Sequence, residues 1–130
     1  MSIKTALDFV DAINSHDVER LATLMTEDHH FIDSGGNTGQ GLEHMKNGWA
    51  GYYEMCPDYK IEIEEIFEKE NKVALFGRTS GTYNLEKKPG GEIFFECTAA
   101  WKAMVENGKV KLWQVYADWS AFYEKMRENK

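Results

Sequence analysis

From Tyr59 to Asp118 the chain reads as four strands in series, and that block limits the fold more than any other feature. Tyr59, Ile61 and Ile63 alternate with charged residues, the two-residue period of a half-buried strand. The phase slips at Glu64-Glu65-Ile66-Phe67, which predicts a β-bulge. A second strand spans Val73 to about Tyr83, and its interior glycines, Gly77 and Gly81, predict strong curvature. Leu85-Glu86-Lys87-Lys88-Pro89-Gly90-Gly91 reads as a turn. The third strand, Glu92 to Val105, places Phe95, Cys97, Ala99, Trp101, Ala103 and Val105 on one face. Glu106-Asn107-Gly108-Lys109 is a hairpin turn, and the fourth strand runs from Val110 to about Asp118. Strands joined by such short turns pair antiparallel, and a sheet with a bulge and interior glycines curls.

Helices gather at the front. Ile3, Ala6, Leu7, Phe9, Val10 and Ile13 fall at helical spacing behind Ser2 as a candidate N-cap. Asn14-Ser15-His16-Asp17 interrupts them, and Asp17 then caps a second helix carrying Val18, Leu21, Leu24 and Met25. Glu27-Asp28 ends that helix, and a short strand, His29 to Asp33, follows. The glycine-rich turn from Ser34 to Gly41 lacks any phosphate-loop spacing. A third helix runs from Leu42 to about Tyr53, with Leu42, Met45, Trp49, Tyr52 and Tyr53 near one stripe, and stops before Pro57. Ser120 to Glu128 forms the last helix. The pattern predicts one α+β domain over 1–130, with helices packed in a strongly curved, mostly antiparallel sheet. Such packing leaves a cavity at one end, the default place for a ligand.

The net charge is -7, so the chain lacks the basic face that phosphates or an anionic membrane surface demand. Neither nucleic acid nor a membrane is expected as a partner. No unbroken apolar run opens the sequence, so neither a signal peptide nor a membrane span is expected. Cys56 and Cys97 are then read as reduced thiols and the location as cytoplasmic. No spacing of cysteine and histidine suggests zinc, and no cofactor is implied.

Asp33 is the leading candidate for chemistry. A carboxylate at a strand end facing an apolar hollow loses solvation, which suits a general base that removes a proton from carbon next to a carbonyl. By alternation His29 and Phe31 share its face. The competing reading is that Asp33 caps its own glycine turn as an Asx-turn. His29 and His30 are adjacent and point to opposite faces, so they do not form a metal site together. His16 and His44 lie beside polar residues on expected surfaces and are given no role. Trp49, Trp101, Trp113 and Trp119, with Tyr52, Tyr53 and six methionines, favour a core with an apolar cavity for a flat or hydrophobic ligand.

Two helices, a strand ending in an acid, a third helix, four strands and a last helix together resemble the nuclear transport factor 2-like (cystatin-like), SnoaL-like superfamily over nearly the whole chain. That resemblance implies a cone-shaped fold and a homodimer packed through the outer face of the sheet. Phe31-Ile32-Asp33-Ser34 followed by Gly41-Leu42-Glu43-His44-Met45 resembles the ketosteroid isomerase pattern, and Asp33 matches that enzyme's base. The oxyanion donors of that enzyme fall at Phe9 and at Trp101 or Ala100, which cannot replace them, and its pocket tyrosine falls at Trp49. Trp113-Gln114-Val115-Tyr116-Ala117-Asp118 resembles a stretch of limonene epoxide hydrolase-like members whose catalytic acid falls at Val115. Asp118 fits a last-strand acid of SnoaL-like polyketide cyclases; its alternative reading is a cap for the last helix.

The resulting expectation is a protein that binds a small hydrophobic molecule through Phe9, His29, Phe31, Trp49, Tyr53, Trp101 and Trp113. Asp33 and Asp118 are the candidate catalytic acids of an isomerase, cyclase or dehydratase. A non-catalytic ligand sensor, a protein-association module or an accessory subunit of an oxygenase is the rival class.

Overall fold

The computed structural model describes residues 2–85 and 89–128. Among these the chain forms helices α1 (Ser2–Asn14), α2 (Val18–Thr23), α3 (Leu42–Met55) and α4 (Ser120–Glu128). Its strands are β1 (Met25–Ile32), β2 (Thr38–Gln40), β3 (Lys60–Lys69), β4 (Lys72–Tyr83), β5 (Ile93–Glu106) and β6 (Lys109–Ala117). They build a curled, unclosed six-stranded sheet in the order β2-β1-β6-β5-β4-β3. Only β1 and β6 run parallel; every other pair is antiparallel.

The four serial strands follow the sequence pattern closely. Ile63 pairs with Gly77 and Glu65 with Phe76, so Glu64 is the extra residue of the expected bulge. Asn107 and Gly108 both hold positive φ, as a tight hairpin with right-handed twist requires. Phe95, Ala99, Trp101, Ala103 and Val105 are buried on the inner face of β5 as the alternation predicts. Residues 86–88 of the turn expected from Leu85 to Gly91 lie outside the described residues.

Two elements differ from the sequence reading. The second helix ends at Thr23, not near Glu27. Leu24 and Met25 leave it because the Val110 N–H donates to the Leu24 carbonyl at 2.7 Å and Met25 pairs with Val110 in the parallel ladder. Long-range pairing thus overrides a weak local helical preference. Glu27 and Asp28 sit inside β1 as a result. Second, the glycine-rich turn contains β2, three residues that pair with His30, Phe31 and Ile32. A strand this short and polar carries no period to read.

Helix α1 lies in the hollow of the sheet and buries Ala6, Phe9, Val10, Ala12 and Ile13. Its last residue reaches the open edge of β3. The Asn14 amide donates to the Ile61 carbonyl at 2.9 Å and accepts from the Ile61 N–H at 2.8 Å. His16, given no role from sequence, donates from Nε2 to the Tyr59 carbonyl at 2.8 Å and stacks on Tyr53. The helix break therefore satisfies backbone groups that an edge strand would otherwise leave open.

Candidate functional site

Curling the sheet around α1 leaves a cavity of about 420 Å³ among the described residues. One wall is α3, through Met45, Gly48, Trp49, Tyr52 and Met55. Phe31, at the end of β1, and Asp33, Ser34, Gly35 and Asn37 of the following turn close one side. Tyr83 ends β4, Leu85 lies just beyond it, and Val115 comes from β6. Trp119, just before α4, and Phe122 and Tyr123 of that helix supply the remaining wall. The rings brace one another: Phe31 meets Trp49 edge-on at 6.3 Å, Trp49 meets Tyr52 at 5.9 Å, and Tyr83 meets Trp119 at 5.3 Å. These offset and edge-on contacts make rigid, flat walls.

Three of the expected site residues meet here: Asp33, Phe31 and Trp49. The Asp33 carboxylate is also the centre of its turn. Its Oδ1 accepts from Gly35 N and Asn37 N, each at 2.9 Å, and Oδ2 accepts from Asn37 Nδ2 at 3.2 Å. The Asx-turn reading and the rim position hold together. A reacting proton would have to share those oxygens with the turn.

The other expected residues stand elsewhere. Phe9, Trp101 and Trp113 are fully buried in the core behind the cavity, Phe9 against Trp113 at 4.9 Å. Tyr53 turns its hydroxyl to the Ile13 carbonyl at 2.8 Å. Asp118 is exposed and outside the cavity lining; its Oδ1 accepts from Ser120 N at 3.0 Å. That backbone hydrogen bond, with one from the Ser120 side chain, holds its carboxyl below the ordinary value, as for a helix cap.

His29 is fully buried between Phe9 and β6. Its Nδ1 lies 2.7 Å from the Val110 carbonyl, which can only accept, so Nδ1 carries the proton. Nε2 has no partner. Burial is the main cause that pushes its pKa down, with His30 adding to it and the Val110 carbonyl and Asp28 opposing. Unfolded histidine titrates near 6.5. A depressed folded value means that this contribution to stability is complete above about pH 6.5 and is lost as pH falls below it. Urea titrations from pH 7.5 to 5 should show wild type losing stability more steeply than His29→Phe. Equal slopes would show that His29 does not couple to folding.

The sequence reading did not use Tyr52, Tyr59, Tyr83 and the aromatics of α4 as site residues. Tyr83 was reachable, since it shares the period-two face of Val73 and Leu75. The Tyr52 and Tyr83 hydroxyls hydrogen-bond each other at the cavity wall. Burial, with the neighbouring phenols Tyr59 and Tyr83 adding to it, raises Tyr52 well above its ordinary pKa, and burial likewise raises Tyr83. Both remain phenols at neutral pH. Among the described residues no group of three or more histidine, cysteine or acidic side chains is placed to hold a metal ion. No helix among them is long and apolar enough to cross a membrane.

The SnoaL-like domain model matches residues 6–113. The chain belongs to the SnoaL-like family. No curated protein sequence matches it. A protein assigned as a SnoaL-like polyketide cyclase from Shewanella denitrificans OS-217 superposes with a TM-score of 0.87 at 17% identity, covering 98% of this chain and 97% of that one. An NTF2-like protein of unknown function from Cytophaga hutchinsonii ATCC 33406 gives 0.71 at 20% identity, with 95% of each chain covered. TerC, crystallised with polyporic acid, gives 0.79 at 18% identity and covers 97% of this chain and 98% of its own. At these identities the likeness is one of fold. The SnoaL-like domain described here therefore has the nuclear transport factor 2-like architecture, and its chemistry has to be argued from its own residues.

Proposed function

We propose that this SnoaL-like domain binds a small, flat, hydrophobic molecule in the cavity between α3, α4 and the end of β1. The observation that carries the reading is the aromatic lining itself. Phe31, Trp49, Tyr52, Tyr83, Trp119 and Phe122 enclose a volume within the usual range for small-molecule sites. The complex of TerC with polyporic acid, an observation on that protein, is in keeping with it. A ligand at about a hundred times its Kd stabilises the native state by roughly 2.7 kcal/mol. A thermal-shift screen of small aromatic and polyketide-like compounds should therefore raise Tm by several degrees for a true ligand. Trp49→Ala should abolish that shift. A panel without any shift would count against the reading.

Asp33 supports a second reading, proton transfer of the isomerase, cyclase or dehydratase type. Its carboxylate borders the same cavity. For a substrate that wild type converts, Asp33→Asn should lower turnover by about 10²–10⁴-fold, the usual contribution of a general base. Unchanged turnover would leave Asp33 as the keystone of its turn and the domain as a binding module.

The outer face of the sheet supports a homodimer. Phe67 and Phe94 are more than half exposed at 58% and 55%, and Phe76 and Tyr116 are also exposed. Phe76 and Tyr116 both flank Ala100 across β4, β5 and β6. An apolar row on a long, curled sheet is suited to a second copy of the same face. Sedimentation should report a dimer for wild type and a monomer for Phe76→Glu. A wild-type monomer at micromolar concentration would remove this part of the proposal. The free thiols of Cys56 and Cys97 fit a reducing compartment, the cytoplasm.

A further inference from the structure

The cavity has a sign of charge as well as a shape. Asp33 is the one charged residue in its described lining; no lysine, arginine or histidine joins it there. The Asp33 oxygens accept from Gly35 N, Asn37 N and Asn37 Nδ2. All three donors are neutral, so they orient the carboxylate without cancelling its charge. Oδ1 takes two of these bonds and Oδ2 one, which leaves Oδ2 with acceptor capacity to spare. Among the described residues no ion pair forms at Asp33. An anionic group on a ligand would meet this carboxylate with no cation in the described lining to offset it. The chain as a whole carries -7, a field that draws cations and repels anions.

The rest of the lining suits a cation too. Its rings stand at steep angles: Phe31 to Trp49 at 73°, Trp49 to Tyr52 at 80°, Tyr52 to Tyr83 at 71° and Tyr83 to Trp119 at 81°. Ring faces therefore look in several directions around one hollow. The face of an aromatic ring is the negative part of its quadrupole and attracts ammonium groups, most of all those stripped of some water. We infer that the bound molecule is an organic ammonium ion, with its apolar body among the rings and its charged head at the rim beside Asp33. This rests on the proposal that the cavity binds a flat hydrophobic ligand. It adds the charge of that ligand and the residue that reads it. Asp33 is only partly buried, so a head beside it stays partly hydrated and escapes the full desolvation penalty of a buried ion.

The test uses the whole chain and three probes that share a phenyl ring and a branched head. Phenyltrimethylammonium is positive, tert-butylbenzene is its neutral carbon counterpart, and 2-methyl-2-phenylpropanoate is negative. Each is measured by calorimetry, with protein titrated into probe. Wild type should bind the cation about tenfold more tightly than the neutral probe, and the anion most weakly. Asp33→Asn keeps an acceptor oxygen for the turn and removes the charge. It should weaken the cation about tenfold and leave tert-butylbenzene unchanged. In wild type the preference should narrow from low to high ionic strength. If the variant weakens all three probes together, that salt dependence decides: a preference that narrows supports the rim charge, and one that does not overturns it.

Equal binding of the cation and its neutral counterpart by wild type, or tighter binding of the anion, would overturn the inference and leave the apolar cavity standing. A cation preference unchanged in Asp33→Asn would overturn it as well, since the charge would then be read elsewhere. Binding of none of the three would overturn the cavity reading and this inference with it.

Discussion

Gly77→Ala is expected to remove most of the domain's stability. A Cβ at Gly77 would lie 1.8 Å from the Glu62 carbonyl oxygen and 2.9 Å from its carbon, and both are backbone atoms. No rotamer change relieves a clash with backbone. The bulge at Glu64 brings β3 across β4 at this point, so relief requires the two strands to part where the sheet curls. Overpacking of this kind costs about 3 kcal/mol or more, a large part of the 5–15 kcal/mol that holds a domain together. Urea unfolding should show a much lower midpoint, and ligand binding should weaken too, because the same curl shapes the cavity. Gly51→Ala is the matched control. Nothing lies within 4 Å of a Cβ there, and the residue is exposed in the middle of α3. It should stabilise by about 0.5–1 kcal/mol through helix propensity. If Gly77→Ala unfolds no more easily than wild type, the close approach of β3 and β4 does not hold the curl.

Trp113→Ala is the second large effect. The ring is fully buried and packs on Phe9 at 4.9 Å and on Trp101 at 6.5 Å. Strand β6, which carries it, joins β1 on one side to β5 on the other. Truncation opens a hole between α1 and the centre of the sheet, and such changes cost about 3–5 kcal/mol. The indole Nε1 has no hydrogen-bond partner among the described residues, so the loss is one of packing. The midpoint of urea unfolding should drop with the slope unchanged. Trp113→Phe should recover a large share, because it refills part of the hole. A loss below about 1 kcal/mol would mean that the core closes over the gap.

The pair of tyrosines shows where reading the chain stopped. Tyr52 sits on the expected α3 stripe and Tyr83 at the expected end of the second serial strand, yet 31 positions separate them. Each alone is an ordinary core aromatic. Their contact exists only because the end of α3 and the loop after it fold back on the end of β4, where Asp58 holds Thr82. Asp33 shows the converse. The turn residues that hold its oxygens lie within four positions of it, so its Asx-turn was legible locally, and so was its place at the end of a strand.

The helices, the four serial strands, the bulge and the hairpin turn were determined by the sequence itself, because each rests on a period of two or 3.6 residues or on nearby turn residues. The parallel pairing of β1 with β6, which ends α2 early, was decided only in three dimensions, as was the division of the aromatics between core and cavity. The strand faces told which side chains point inward. Which of them meet depended on how far the sheet curls and where α4 closes it, and those follow from contacts between residues far apart in the chain.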